Sequence, residues 1–232
     1  MKKDLFIFLL IVLFSSCLNN KILKTSDEEK NAVEELLTFY GGNCEYGSYF
    51  EISNDGSKHY FDLKLKESSL IGNPKTDDIL AAGVAYRFYN SLKKEANKFD
   101  QINTELIDSN GMTKKYTFDT SVLNKVKSEM PKTKVAIDLL KKRDYFGLVD
   151  LCDTTNIVDK KTIVASLNKA ENEYGILNDF QIFGFEFYKN IQGQTNLSIC
   201  GIAISSKENH HLNIVTDPND TALKIVLFNY KF

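Results

Sequence analysis

The acidic residue best placed to take part in chemistry is Glu186, which lies in a phenylalanine-rich strand predicted over residues 180–189. Alternate side chains of a strand point to opposite faces, which separates Glu186 and Tyr188 from three phenylalanines, Phe183, Phe185 and Phe187. If the phenylalanine face packs on the helices, which is the interpretation we favour, Glu186 is simply exposed. If the opposite face lines a cavity, Glu186 enters it beside Tyr188, where a desolvated carboxylate could act as a general base.

The histidines, His59, His210 and His211, predict neither a metal site nor a catalytic centre. His210 and His211 are adjacent in a predicted hairpin tip, and neighbouring side chains of an extended segment point apart, so they cannot share a metal without an irregular loop. The chain also lacks the nucleophile-elbow, zinc-protease, phosphate-loop and dinucleotide motifs. We therefore expect no metal and no cofactor, and we favour a protein that is not an enzyme.

Three cysteines lie beyond the N-terminal segment: Cys44, Cys152 and Cys200. In an oxidising compartment one pair could form a disulfide, and Cys152 with Cys200 is the pair we would examine first because both lie in the second half. The alternative, which we favour slightly, is that all three are small buried thiols.

The first seventeen residues, MKKDLFIFLLIVLFSSC, have the organisation of a targeting segment. Lys2 and Lys3 precede an unbroken apolar run from Leu5 to Phe14, which is shorter than the roughly 20 residues needed to span a bilayer. Two serines and Cys17 follow. This segment resembles bacterial lipoprotein signal peptides, with the departure that Phe14 stands where an aliphatic residue is usual. The alternative is an ordinary cleaved signal peptide with an incidental cysteine.

The resemblance implies that residues 1–16 are removed and that Cys17 receives a diacylglyceryl thioether with palmitate-type chains. Several acyl chains anchor a protein firmly in a membrane, and residues 17–25 are then a lipidated tether. In lipoproteins, an Asp next to the cysteine retains the protein at the inner membrane, and an acidic run marks export to the surface. The first acid after Cys17 is Asp27. The resemblance therefore favours the outer membrane of the cell envelope, facing the periplasm.

The elements that position these residues begin with a first α+β module, predicted over residues 26–127 in the order α-β-β-α-β-β. The capping box Ser26-Asp27-Glu28-Glu29 begins its first helix. Turns at Asn54-Asp55-Gly56 and Asn110-Gly111 predict two hairpins. The polar segment 121–132, which contains a proline, is the predicted boundary between modules.

Residues 128–232 are predicted to form a second α+β module, in which three helices over 134–143, 145–152 and 160–174 precede strands over 178–189, 195–206 and 221–231, with a short strand at 212–215. The run KVAIDLLKKRDYFGLVDLCD, a capped helix and Tyr174-Gly175 ahead of phenylalanine-rich strands resemble small NTF2-like (cystatin-related) domains over residues 131–232. The resemblance implies helices on a curved antiparallel sheet around a cone-shaped cavity. Members act as enzymes, small-molecule binders or interaction modules, so this fold leaves the function open.

Composition restricts the class of partner. The 232 residues include 29 Lys+Arg and 31 Asp+Glu, a net charge of −2, which argues against nucleic acid. The leading hypothesis is a non-enzymatic envelope lipoprotein that binds another protein by adding a strand to an open sheet edge. The first alternative is a small-molecule or lipid binder that uses a cavity in the NTF2-like module, and the second is an acid-base enzyme that uses a buried carboxylate such as Glu186.

Overall fold

The computed structural model describes residues 21–53, 56–152, 159–220 and 225–231, and it confirms an α+β fold. The helices of this part of the chain are α1 (Asp27–Tyr40), α2 (Asp77–Ser91), a 3-10 helix (Lys93–Lys98), α3 (Thr120–Lys142), α4 (Tyr145–Asp150) and α5 (Lys160–Tyr174). Its strands are β1 (Lys21–Leu23), β2 (Asn43–Ser53), β3 (Gly56–Lys66), β4 (Gln101–Ile107), β5 (Thr113–Asp119), β6 (Leu177–Lys189), β7 (Thr195–Ser205), β8 (His210–Thr216) and β9 (Ile225–Lys231).

The first sheet has five strands in the order β1-β2-β3-β4-β5. All neighbours are antiparallel except β3 and β4, which are parallel and are joined through α2, because a parallel pair needs a long crossover. Apolar and polar residues alternate along β3, which predicts one buried face, and its apolar residues Phe61, Leu63 and Leu65 are all buried. The capping box is also confirmed: the Ser26 hydroxyl accepts from the Glu29 N–H, and the Glu29 carboxylate accepts from the Ser26 N–H.

The short tether predicted up to residue 25 contains an ordered strand. Lys21, Ile22 and Leu23 pair antiparallel with Phe50, Tyr49 and Ser48 of β2. The exposed edge of β2 offers unpaired backbone groups, and any extended segment beside it can satisfy them. Residues 21–23 of the predicted tether therefore join the sheet as its edge strand.

The second sheet has four antiparallel strands in the order β6-β7-β8-β9. Between Ile182 and Gly184 the pairing of β6 with β7 shifts by one residue, so Phe183 is the extra residue of a β-bulge. The predicted face of three phenylalanines therefore keeps Phe185 and Phe187, which pack on the hydrophobic core, and is wrong for Phe183. The bulge inverts the alternation and places Phe185 and Phe187 on the same face as Phe180 and Ile182.

The polar segment predicted as the boundary between modules lies within helix α3. The segment 121–132 is helical and continuous with the predicted helix that begins at residue 134, with Pro131 inside α3. Most of its polar residues are exposed, while Leu123, Val126, Ala136 and Leu140 are buried together with the polar Glu129, Lys132 and Thr133. An amphipathic helix of this kind has a polar composition without being a linker.

The larger hydrophobic core draws on both predicted modules. It contains residues of α1, α2 and the first sheet together with Phe185, Leu197 and Ile199 of the second sheet. A Cβ added to Gly83 of α2 would lie 1.9 Å from the Phe183 carbonyl oxygen, and one added to Gly184 would lie 1.9 Å from that of Ile79. Two glycines thus let α2 and β6 meet backbone to backbone. A second, smaller cluster packs α3, α4 and α5 on the other end of the second sheet.

Candidate functional site

A groove of about 740 Å³ lies where α1, α2, α3 and β6 converge. Its walls include residues of both predicted modules, so it is not a cavity of the second module alone. Pockets that bind small molecules usually have about 300–1,000 Å³ and a mostly apolar lining with a few convergent polar groups. The apolar part of this lining comprises Tyr40, Tyr86, Met130, Pro131, Ile137, Phe180 and Ile182.

Helix α3 supplies one wall through the geometry of an α-helix. Its lining residues recur every three or four positions, which places them on one face: Lys127, Met130, Lys134, Ile137 and Lys141. Pro131 lines the groove as well and has no N–H to donate to the carbonyl of Lys127. The wall therefore alternates apolar and cationic side chains along its length.

Arg87 of α2 lines the groove with its guanidinium on aromatic rings. Its Cζ is 3.7 Å from the centroid of the Phe39 ring and 5.7 Å from that of Tyr40. Nη2 donates to the Ile182 carbonyl oxygen over 3.4 Å, while Nε is buried and has no hydrogen-bond partner. Among the described residues Arg87 forms no ion pair. Aromatic faces attract a cation, yet they do not neutralise it as a carboxylate does.

Two buried phenols stand beside Arg87. Burial raises the pKa of Tyr40 to about 12, although the Arg87 guanidinium opposes the shift, and burial likewise raises the pKa of Tyr86 to about 12. Both hydroxyls therefore keep their protons at neutral pH and are available as donors. Tyr40 donates to the carbonyl oxygen of Phe183 over 3.0 Å, so the bulge fixes one end of the groove.

The charges that line the groove are unbalanced. Glu35 and Asp138 are the carboxylates of the lining, and both are exposed; the cations are Arg87, Lys127, Lys134 and Lys141. Only Lys141 has an ion-pair partner within the described ranges, Asp179 at 3.0 Å. The groove is thus locally cationic on a chain whose net charge is −2.

Neither Glu186 nor Tyr188 lines this groove. Their pairing partners, Ser198 and Asn196, lie on the face of the second sheet opposite to Phe180 and Ile182. Both side chains are half-buried. The structure therefore does not bring the predicted cavity pair to the site: Phe185 and Phe187 pack on the hydrophobic core, and the unbroken alternation from Phe185 to Tyr188 places Glu186 and Tyr188 on the opposite face.

The structure has no disulfide between Cys152 and Cys200, the pair that the sequence singled out. Burial raises the pKa of Cys44 to about 12 and that of Cys152 to about 11. Thiols with such values are protonated at neutral pH and are poor nucleophiles. Cys17 and the rest of the proposed signal peptide lie outside the described residues.

A serine–histidine contact that the sequence did not reveal joins β2 to β3. Ser48 Oγ lies 2.9 Å from His59 Nε2, a distance typical of a nucleophile and its base. Asp100, however, accepts from the His59 backbone N–H rather than from the ring, and Ser48 is only 2% exposed. This contact therefore ties two strands together rather than forming a catalytic triad.

The outer face of the first sheet holds a second depression, of about 620 Å³. Its charges neutralise one another, since Glu105 lies 3.2 Å from Lys64 and 3.6 Å from Lys115. The Asp62 carboxylate accepts from Asn103, whose side-chain oxygen accepts from Thr117. An internally paired polar surface of this kind is what one solvated face of a sheet requires.

No family model, curated protein or solved structure matches this chain. Across the residues that the structure describes, none of the helices has the length and apolar character needed to cross a membrane. The same residues contain no group of three or more His, Cys, Asp or Glu side chains arranged to hold a metal ion. The function must therefore be argued from the groove itself.

Proposed function

We propose that this protein is a lipid-anchored bacterial envelope protein that binds a small amphipathic molecule in the groove between α1, α2, α3 and β6. The observation that carries the proposal is the groove, which combines about 740 Å³ of space with an aromatic and aliphatic lining and buried polar groups. Its size falls in the range of about 300–1,000 Å³ that is typical of small-molecule sites.

The contact between α2 and β6 supports this proposal because it makes the groove largely pre-formed. Gly83 and Gly184 leave no room for a Cβ, and Tyr40 is bonded to the bulge at Phe183. A pre-formed site binds its ligand without a large ordering cost. The resemblance of residues 131–232 to NTF2-like domains is compatible with small-molecule binding, although α1 and α2 of the other half supply two of the walls.

The anchor is proposed from residues 1–17, which resemble a lipoprotein signal peptide. Cys17→Ala should leave an uncleaved precursor without acyl chains, detected by intact-mass measurement of the protein extracted from the envelope. A soluble mature protein of normal size from the same variant would contradict the lipid anchor and would indicate an ordinary signal peptide. The ligand-binding proposal would remain, since the groove lies outside this segment.

Protein binding by strand addition is the second candidate, and it depends on which edges are open. The edge of β6 is interrupted at its bulge, because α2 packs there at Gly83 and the Tyr40 hydroxyl donates to the Phe183 carbonyl oxygen. The outer edge of β5 pairs with no other strand of the described chain, and the side chains of β5 alternate between exposed and half-buried. This edge favours a protein partner that contributes one strand.

Native mass spectrometry of the full-length protein, extracted from its own envelope in a mild non-ionic detergent, tests both candidates. We expect a monomer that carries a discrete small-molecule adduct. Met130→Trp places a large ring in the groove and should remove the adduct. The control Met112→Trp changes a methionine that is 62% exposed on the β4–β5 turn and should keep it. A complex with a second protein and no adduct would instead favour strand addition.

A further inference from the structure

Resting on the proposed function, we propose that the ligand of the groove carries an oxyanion, a carboxylate or phosphate, that binds the Arg87 guanidinium while its apolar part lies along α3 and β6. The observation is a half-buried cation that lines an apolar groove and has no carboxylate partner within the described residues. Its positive charge rests on Phe39 at 3.7 Å.

A cation in such surroundings needs an anion more than a surface cation does. Burial weakens its hydration, and aromatic rings return only part of that loss. The carboxylates of the lining, Glu35 and Asp138, are exposed and form no ion pair with Arg87. Lys127 and Lys134 extend the positive potential along α3, so an anion is attracted along the groove as well as at Arg87 itself.

The guanidinium chemistry favours an oxyanion over a halide or a neutral polar group. A guanidinium is a planar fork of five donors that matches the paired oxygens of a carboxylate or phosphate. Stacking on Phe39 and the bond from Nη2 to Ile182 hold the plane of this fork in one orientation. Because this side chain is already ordered, less conformational entropy is lost when an anion binds to it.

The remainder of the ligand is apolar because apolar side chains line both the α3 and the β6 side of the groove. Met130 and Ile137 of α3 face Phe180 and Ile182 of β6 across the groove. These side chains offer no hydrogen bonds and gain from contact with a hydrocarbon chain or ring, at about 25 cal/mol per Å² of apolar surface removed from water. The chemical class is therefore an oxyanion on a short hydrocarbon body.

Octanoate and octanamide form a matched pair of probes, since they share size and shape and differ in charge. Both are titrated by calorimetry into the full-length protein held in an amphipathic polymer. We expect octanoate to bind at least about tenfold more tightly, because charge-assisted hydrogen bonds are about twice as strong as neutral ones. Equal affinities would overturn the oxyanion inference and leave the proposed function standing. Failure of both probes to bind would contradict the proposed function itself.

Variants assign the preference to Arg87. Arg87→Gln should abolish the preference for octanoate. The control Lys142→Gln removes a positive charge at the C-terminal end of α3, outside the groove, and should leave the preference unchanged. Arg87→Lys keeps the charge without the fork, so it should keep a reduced preference even if Arg87→Gln fails to fold. Circular dichroism identifies a misfolded variant. A preference that survives in both Arg87 variants would place the anion elsewhere and overturn the inference.

Discussion

Glu129 and Lys132 form an ion pair inside the fold, and Lys132→Met should destabilise the protein strongly. The two side chains lie one turn apart on α3, are each 6% exposed, and bring Nζ within 2.9 Å of Oε2. Lys132 also donates to the carbonyl oxygens of Asp217 over 3.3 Å and Asp220 over 2.6 Å, which ties α3 to the segment after β8. The pair is held by charge, since Glu129 Oε2 has no properly oriented hydrogen bond.

The magnitude follows from what the substitution leaves behind. Removing one partner of a buried pair leaves an uncompensated charge and typically costs about 3–5 kcal/mol. For a chain of this size, each kcal/mol lowers the melting temperature by about 2–4 °C, so a fall of roughly 6–20 °C is expected. Glu129→Gln should cost less, because Lys132 keeps its two carbonyl acceptors.

Thermal melts followed by far-UV circular dichroism on the full-length protein measure this effect. Lys30→Met is the matched control: it also breaks an i,i+3 ion pair, with Asp27, but that pair is exposed on α1. The control should melt like the unaltered protein, because exposed pairs contribute little. If Lys132→Met also melted like the unaltered protein, the pair would have to be hydrated and the reasoning from burial would be refuted.

Three further predictions concern single contacts. Gly83→Ala should destabilise the protein, because the new Cβ would lie 1.9 Å from the Phe183 carbonyl oxygen. Alanine normally stabilises a helix by about 1 kcal/mol relative to glycine. A raised urea denaturation midpoint would therefore contradict the close packing of α2 on β6. Ser26→Ala should cost about 1 kcal/mol in urea unfolding by removing the cap of α1, and no change would mean that the helix end is already solvated. Burial raises the folded-state pKa of Tyr40 and Tyr86 from 10.0 to about 12, so the stability that their protonated phenols contribute is complete below pH 10 and is lost between pH 10 and 12. Urea midpoints should therefore fall over that window. Absorbance at 295 nm should show these two phenols ionising there only when the protein unfolds.

Local signals in the sequence predicted most elements of the fold. The capping box begins α1 because its hydrogen bonds involve neighbouring residues only, and the alternation of β3 reports its buried face directly. The helix predicted from residue 145 begins at Tyr145, and the carboxylate of Asp144 just before it accepts from the Gly147 N–H as an N-cap does. Each of these features depends on residues within a few positions, which is why one sequence suffices.

The groove could not be predicted because it depends on long-range packing. Lys127, Met130, Lys134 and Ile137 recur at helical spacing, and that signal was available. The polar composition and Pro131, however, favoured a linker at the place where α3 forms one wall. The bulge at Phe183 has no sequence signature of its own, yet it decides that Ile182 shares a face with Phe185 rather than with Glu186. Arg87 gains its importance only where α2 meets β6.

The groove and the shared core together predict how the protein should unfold when a ligand is bound. The larger core joins α1, α2 and the first sheet to Phe185, Leu197 and Ile199, so opening either half exposes the same cluster. We therefore expect one cooperative transition rather than two. Octanoate at one hundred times its dissociation constant should stabilise the folded state by about 2.7 kcal/mol and raise the melting temperature by roughly 5–11 °C.

Differential scanning calorimetry of the full-length protein with and without octanoate would test this coupling. The whole transition should move upward together, because the ligand touches α2 and α3 at once and binds only when both are in place. Met130→Trp should melt as one transition but show no shift with octanoate. Two transitions, of which octanoate moves only one, would mean that the halves unfold independently and that the groove belongs to one of them, contrary to the packing of Gly83 against β6.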